Sequence, residues 1–217
     1  MGKLIVIDGL DGSGKNTQSK LLLERLKAEG KRVRMVSFPD YESPACAPVK
    51  MYLGGEFGKN PDSVNSYAAS AFFAVDRFAS YRLHWEKDYQ DGCIIIANRY
   101  TTANAIHQLT KLPEKEHGPF LDWLFDFEFE KLGLPRPDLT VLLSVPVEKS
   151  LELIDHRGEV KDIHENREHL LKAYRAASTC AEKWGWTKIP CVNEGGALQS
   201  IEEIGEKLYQ TVKEKLW

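Results

Sequence analysis

The chain has 217 residues, with 29 basic and 32 acidic side chains and a formal net charge of −3. A chain of this length can bury one hydrophobic core without dividing, so we expect a single domain over residues 1–217. The slight acidity excludes the overall positive charge that is typical of a non-specific nucleic-acid binder, so no nucleic-acid partner is expected. Any anionic ligand must therefore be held by a local group of cations.

The cysteines and the N-terminal residues indicate the cellular compartment of the protein. The four cysteines stand far apart with no C-x-x-C pair, which favours ordinary thiols over a zinc site or a disulfide framework. The apolar run at residues 4–7 is too short for a signal peptide, and no later run has the length of a membrane span. We therefore expect a cytoplasmic protein with no membrane partner.

Short apolar runs alternate with longer segments of helical periodicity, which is typical of a parallel sheet covered by helices on both faces. The predicted strands are residues 4–8, 32–38, 93–98, 139–145 and 188–192. The predicted helices are residues 16–29, 63–89, 102–111, 120–132, 147–155, 165–184 and 200–215. Five strands suit one doubly wound α/β domain, and the polar or proline-containing segments 38–48 and 157–165 are expected to cover a ligand.

A phosphate-binding signature follows the first predicted strand. Residues 9–17 read GLDGSGKNT, which matches G-x-x-x-x-G-K and departs from the full pattern at Asn16, where Ser or Thr is usual. Between a strand and a helix, such a loop points backbone N–H groups and a helix N-terminus at one anion, and Lys15 adds positive charge. A glycine-rich turn without a ligand would not require the strand, the spacing and the lysine together. The predicted ATP-binding residues are Gly9, Asp11, Gly12, Ser13, Gly14, Lys15, Asn16 and Thr17.

Further motifs stand in a fixed order along the chain. They are the phosphate loop with Asp11, Phe38-Pro39-Asp40, the pair Phe73 and Arg77, Asn98-Arg99-Tyr100, Pro137-Asp138-Leu139 and Arg157-Gly158. Together, and nearly end to end, they resemble the thymidylate kinases, P-loop enzymes that transfer the γ-phosphate of ATP to dTMP. The resemblance implies a P-loop α/β fold whose five-stranded parallel sheet has the order 2-3-1-4-5, with a short lid at about residues 156–165. It also implies Mg²⁺ as the cofactor, ATP and dTMP as substrates, and a homodimer.

The pair Phe73 and Arg77 lies four residues apart on one helix face. A ring at that spacing can stack on a pyrimidine while the guanidinium donates to a carbonyl at its edge. Periodicity alone favours the simpler interpretation, with Phe73 in the core and Arg77 paired with an acid such as Asp76. The resemblance instead favours the base-binding role. It implies the following dTMP-binding residues: Asp11, Phe38, Tyr41, Phe73, Arg77, Arg99, Asn104, His107 and Gln108.

Arg99 follows the predicted strand 93–98, at the carboxyl end where open α/β sheets bind their ligands. The resemblance implies that Arg99 holds the acceptor phosphate and stabilises charge during transfer, and that Arg157 closes over the donor phosphates. The predicted catalytic residues are thus Lys15, Arg99 and Arg157. The family usually has Asp where this chain has Asn98, and an amide oxygen is a weaker ligand for Mg²⁺ than a carboxylate. Asn16 and Asn98 are therefore weak candidates for Mg²⁺ ligands, suited to act through water.

Three functional hypotheses follow from these residues. The leading one is the phosphorylation of dTMP to dTDP with Mg-ATP, in dTTP synthesis. The second is a kinase of the same fold for another pyrimidine nucleotide or a deoxynucleoside. The third is a nucleotide-binding relative with reduced turnover, because Asn16, Asn98 and Ser144 stand where a metal-side oxygen or carboxylate is usual.

Overall fold

The computed structural model describes residues 1–157 and 167–217, without the side chain of Arg157. Its sheet has five parallel strands in the order β2-β3-β1-β4-β5, as predicted. The strands are β1 (Leu4–Gly9), β2 (Val33–Ser37), β3 (Ile94–Asn98), β4 (Leu139–Ser144) and β5 (Thr187–Pro190). The α-helices of the described residues are α1 (Lys15–Ala28), α2 (Ala47–Leu53), α3 (Ser66–Ser80), α4 (Glu86–Gln90), α5 (Thr101–Gln108), α6 (Glu114–Phe125), α7 (Val147–Arg157), α8 (Arg167–Trp184) and α9 (Ile201–Leu216).

Strand β1 lies at the centre of the sheet and is buried along its whole length. Ile5 and Ile7 point to one face, where they pack with apolar side chains of α1 and α9. Leu4 and Val6 point to the other face, where they pack with a cluster that includes Trp85. Because helices cover both faces, the strand sequences read as continuous apolar runs rather than as alternating patterns.

The predicted helix 63–89 is divided in the structure. It begins at Ser66, because the Asn65 side chain accepts a hydrogen bond from the Ala68 N–H and caps α3. A π-helical turn, Tyr81–Trp85, then separates α3 from α4. Tyr81 and Trp85, the first and last residues of this turn, both pack in the core. Helical periodicity does not predict this packing.

Two other predicted boundaries were wrong, and one helix was not predicted. Helix α6 begins at Glu114 rather than at residue 120, with Pro119 inside it, and it continues into a second π-helical turn, Asp126–Lys131. Proline usually interrupts a helix, so Pro119 gives no sequence signal for the earlier start. Helix α2 was not predicted, although Pro48 in its first turn is compatible with a helix start. Strand β5 ends at Pro190, whereas the prediction ran to residue 192.

The carboxyl ends of β1, β2 and β3 meet at one edge of the sheet, since all strands are parallel. The register pairs Ile7 of β1 with Asn98 of β3, and Asn98 with Ser37 of β2. The segments that follow these three strands therefore converge at this edge. Among the described residues, none of the helices combines the length and hydropathy needed to span a membrane.

Candidate active site

The loop between β1 and α1 has a backbone that only glycine tolerates at its tightest point. Gly12 has a φ of 75°, and a Cβ there would lie 2.6 Å from the carbonyl oxygen of Ser150 in α7. Gly14, with a φ of 81°, precedes α1 and makes no side-chain cap. The first N–H groups of α1 can therefore bind an anion at the helix N-terminus.

The Lys15 side chain folds back into this loop. It is 8 % exposed, and its Nζ donates to the carbonyl oxygens of Gly9 at 3.0 Å and Leu10 at 2.6 Å. The ammonium group is thereby held inside the loop, where a phosphate oxygen can replace a carbonyl as its acceptor. Asn16 and Thr17 begin α1 and are exposed.

Arg99 joins the phosphate loop to the end of β3. It has a φ of 66°, the only positive φ outside glycine in the described parts of the chain. Its Nη2 donates to the Asp11 carboxylate, its Nη1 lies 3.7 Å from Asp8 Oδ1, and the same Nη1 donates to His107 Nε2 at 3.0 Å. An uncommon backbone conformation thus directs a cation to the point where the phosphate loop meets α5.

A cavity of about 80 Å³ opens beside Arg99. All nine predicted dTMP-binding residues line it, and their roles stay predictions: Asp11, Phe38, Tyr41, Phe73, Arg77, Arg99, Asn104, His107 and Gln108. Pro39, Leu53, Tyr100 and Ala103 also line it and were not predicted. Asp11 belongs to both the phosphate loop and the cavity wall, so the two predicted binding sites are contiguous.

The Arg77 guanidinium is held by a buried carboxylate that the sequence analysis did not single out. Its Nε and Nη2 donate to the two carboxylate oxygens of Glu128, at 2.7 and 2.6 Å, and neither side chain is more than 1 % exposed. The Thr101 hydroxyl also donates to Glu128, at 2.8 Å. Arg77 also lines the cavity, where its Nη1 donates to the Tyr100 carbonyl oxygen at 3.5 Å.

The expected partner of Arg77, Asp76, has a different role. Its carboxylate accepts from the Asp40 N–H at 2.9 Å, which fixes the turn after β2, and burial raises the pKa of Asp76. Glu128 lies 51 residues from Arg77 in sequence, between two phenylalanines of the turn after α6. Because Asp126, Glu128 and Glu130 alternate with the phenylalanines, no local signal singled out Glu128.

Gln108 has the polar groups that a heterocyclic base can use. It is 1 % exposed and lines the cavity, and neither its amide oxygen nor its amide nitrogen has a hydrogen-bond partner among the described residues. Leaving both groups unpaired in the interior is costly, and a ligand edge with one donor and one acceptor would satisfy them. Asn104, one turn earlier, donates to the Ser70 carbonyl at 3.2 Å.

His107 contacts a second histidine that the sequence analysis missed. His107 Nδ1 lies 3.1 Å from Nε2 of His169 in α8, and the two rings are nearly parallel. Burial is the main cause that lowers the pKa of His169 to about 4, while the charge of Asp11 opposes the shift. A lone histidine on a helix gave no sequence signal for this contact.

The side chains near the phosphate loop offer a divalent cation few direct ligands. Asn98 donates from Nδ2 to Ser37 at 3.0 Å, while its buried Oδ1 has no hydrogen-bond partner among the described residues. Asp8 is engaged by the Gly9 N–H at 2.8 Å and by the Thr102 hydroxyl at 2.5 Å. No group of three or more acids, histidines or cysteines arranged for a metal occurs in residues 1–157 and 167–217. This donor set fits Mg²⁺ that takes most of its ligands from phosphates and water.

Other predicted residues lie outside the described part of the chain, at the rim of the cavity or away from it. Nearly all of the predicted lid, residues 156–165, and the side chain of Arg157 lie outside the described residues. Tyr41 is 50 % exposed at the rim of the cavity. Ser144 ends β4 and does not line the cavity.

Comparisons with known proteins all point to one family. The family model described as thymidylate kinase matches residues 7–207. The chain is 34 % identical to a thymidylate kinase of Mycobacterium tuberculosis, over 84 % of this chain and 87 % of the relative. It is 30 % identical to a probable thymidylate kinase of Pyrococcus horikoshii, over 99 % and 98 % of the two chains. The solved thymidylate kinase of Candida albicans shares the fold, with a TM-score of 0.73 at 22 % identity over 98 % of this chain and 92 % of that one. From its phosphate loop to α9, the chain belongs to the thymidylate kinase family.

Proposed function

We propose that this protein transfers the γ-phosphoryl group of ATP to dTMP and forms dTDP, a step in dTTP synthesis. Membership in the family supports both the reaction and ATP as the donor. The observation that carries the proposal is the shared wall between the phosphate loop and the cavity at Asp11. A monophosphate in the cavity would lie with its phosphate beside the terminal phosphate of a nucleotide in the loop.

Phosphoryl transfer to a phosphate requires alignment and charge neutralisation more than a base, because the acceptor is already ionised at neutral pH. The N–H groups of the loop and Lys15 bind the donor phosphates. Arg99 binds the acceptor phosphate and can exchange its Asp11 contact for the dianion. Arg157, on the predicted lid, is proposed to neutralise the donor phosphates. The amide of Asn98 is compatible with this chemistry, since no carboxylate base is needed.

Magnesium is proposed as the cofactor, and when bound it neutralises charge on the phosphates of ATP. Asn16 at the start of α1 and Asn98 at the end of β3 would hold it, through water. The unpartnered Oδ1 of Asn98 supports this assignment, because an amide oxygen can accept from a metal-bound water.

Base recognition is proposed to involve three side chains. Phe73 stacks on the pyrimidine, the Nη1 edge of Arg77 donates to a ring carbonyl, and the Gln108 amide pairs with the base edge. Cytosine has an amino group where thymine has a carbonyl, so it would present a donor to the Arg77 donors. The site should therefore reject dCMP more strongly than dUMP.

A homodimer and a cytoplasmic location are proposed as well. Val75 and Phe78 of α3 and Leu83 of the following turn are 49, 37 and 73 % exposed, and a second copy of the chain would cover them. The cysteines are buried and free, which suits a reducing compartment.

The function is tested by measuring ADP release from ATP with dTMP, dUMP, dCMP, AMP and thymidine as acceptors. We expect the highest kcat/KM with dTMP, and no turnover with any monophosphate would overturn the proposal.

The variant Arg77→Lys keeps the charge beside Glu128 but loses the planar fork. It should lower kcat/KM for dTMP by roughly 10- to 100-fold, the size of a hydrogen bond to a charged group, without weakening ATP binding. Arg82→Lys, at an exposed arginine of the same helical run, is the matched control.

A further inference from the structure

Three side chains from three separate elements form a line that leads away from the cavity. Arg99 follows β3, His107 lies in α5, and His169 lies in the first turn of α8. The nitrogen-to-nitrogen distances along the line are 3.0 Å from Arg99 to His107 and 3.1 Å from His107 to His169. The two histidines are only 5 and 6 % exposed.

The chemistry of arginine fixes the direction of both hydrogen bonds. A guanidinium has only donors, so His107 Nε2 must accept from Arg99 through its lone pair. A neutral imidazole with a lone pair on Nε2 carries its proton on Nδ1, and His107 Nδ1 therefore donates to His169 Nε2. His169 must in turn be neutral and carry its proton on Nδ1.

The surroundings of His169 support this neutral state. Desolvation lowers its pKa to about 4, and the nearby charges act in both directions. Asp11 in the phosphate loop and Asp62 before α3 favour protonation, while Lys111 after α5 and Lys172 in α8 oppose it. The Arg99 guanidinium at the other end of the line further disfavours a positive charge on His107.

We propose that His169 is a positioning residue that, through His107, fixes the direction of the Arg99 guanidinium. The proposal rests on the proposed function, in which Arg99 binds the acceptor phosphate. Asp11 contacts Nη2 of Arg99 and His107 contacts Nη1, while Asp8 Oδ1 lies 3.7 Å from the same Nη1. When an acceptor phosphate exchanges with Asp11, His107 still accepts the hydrogen bond of Nη1, and it can do so in this geometry only while His169 keeps its proton on Nδ1.

The direct test is the tautomeric state of the two histidines in the whole protein without substrate. Two-bond ¹H–¹⁵N correlation spectra at neutral pH should show both rings neutral and protonated on Nδ1. A proton on His107 Nε2, or a protonated His169, would overturn the proposal. This measurement does not depend on turnover, so it separates failure of the positioning role from failure of the proposed function.

The kinetic test compares two amides at position 169. The Oε1 atom of glutamine can occupy the place of His169 Nε2 and accept from His107, whereas the shorter asparagine reaches only the place of Nδ1. His169→Asn should raise the KM for dTMP about five- to tenfold, as expected for one lost hydrogen bond, with the KM for ATP unchanged. His169→Gln should stay within about twofold of the unaltered protein.

The matched control is Lys172→Gln, one turn along α8 on the same wall of a polar recess that His169 also lines. We expect it to leave both KM values unchanged. Equal effects of His169→Asn and His169→Gln, or a parallel rise in the KM for ATP, would overturn the positioning role. If His169→Asn does not fold, the spectra of the unaltered protein and the kinetics of His169→Gln still decide the question.

Discussion

Breaking the buried ion pair between Arg77 and Glu128 is expected to cost far more stability than breaking an exposed pair. Glu128→Gln keeps the shape of the side chain but removes its charge. It leaves a guanidinium that is 1 % exposed without its counter-ion, and it turns an amide N–H₂ toward donors of Arg77 or Thr101. Both consequences destabilise the folded state, because a buried charge and a buried donor each need a partner.

The magnitude follows from the burial of both partners. Removing one member of a buried pair costs about 3–5 kcal/mol, and the lower value applies here because the glutamine oxygen can still accept one of the two Arg77 bonds. With a urea dependence of about 2 kcal/mol per molar, a loss of about 3 kcal/mol moves the unfolding midpoint down by about 1.5 M.

The assay is urea unfolding of the unaltered protein, Glu128→Gln and a control. The control is Asp126→Asn in the same π-helical turn, where the carboxylate and its partner Lys131 are 51 and 66 % exposed. An exposed pair contributes little, so the control should change the free energy of unfolding by less than about 0.5 kcal/mol. Equal midpoints for the two variants would refute the argument from burial.

Two further predictions concern the phosphate loop and pH. Gly12→Ala adds a Cβ 2.6 Å from the Ser150 carbonyl oxygen at a φ of 75°, so ATP binding measured by calorimetry should weaken at least tenfold. The control is Gly30→Ala, which lies on an open turn at a similar φ of 73° and should bind ATP normally. Burial lowers the pKa of His169 to about 4 from an ordinary 6.5, so its neutral form contributes stability that is present above pH 6.5 and is lost as the pH falls toward 4. Between pH 7 and pH 5 the free energy of unfolding should fall by about 2 kcal/mol from this group alone. In His169→Gln the fall should be smaller by that amount. The same pH dependence in both proteins would contradict the neutral state assigned to His169.

The sequence determined the features that depend on neighbouring residues. The glycines and Lys15 of the phosphate loop form a local motif, and their strand–loop–helix context is visible in the apolar runs on either side. The predicted order of the sheet is confirmed. The dTMP-binding residues implied by the family resemblance all line one cavity.

Only the tertiary structure decided which polar side chains support those residues. Glu128 reaches Arg77 across 51 residues, and His169 reaches His107 across 62, so no local pattern records either pair. The π-helical turn before α4 likewise depends on how two aromatic rings pack against β1 and β3. Local motifs and the family resemblance therefore predicted residues that line the cavity, whereas the partners that orient them depend on contacts between elements far apart in the chain.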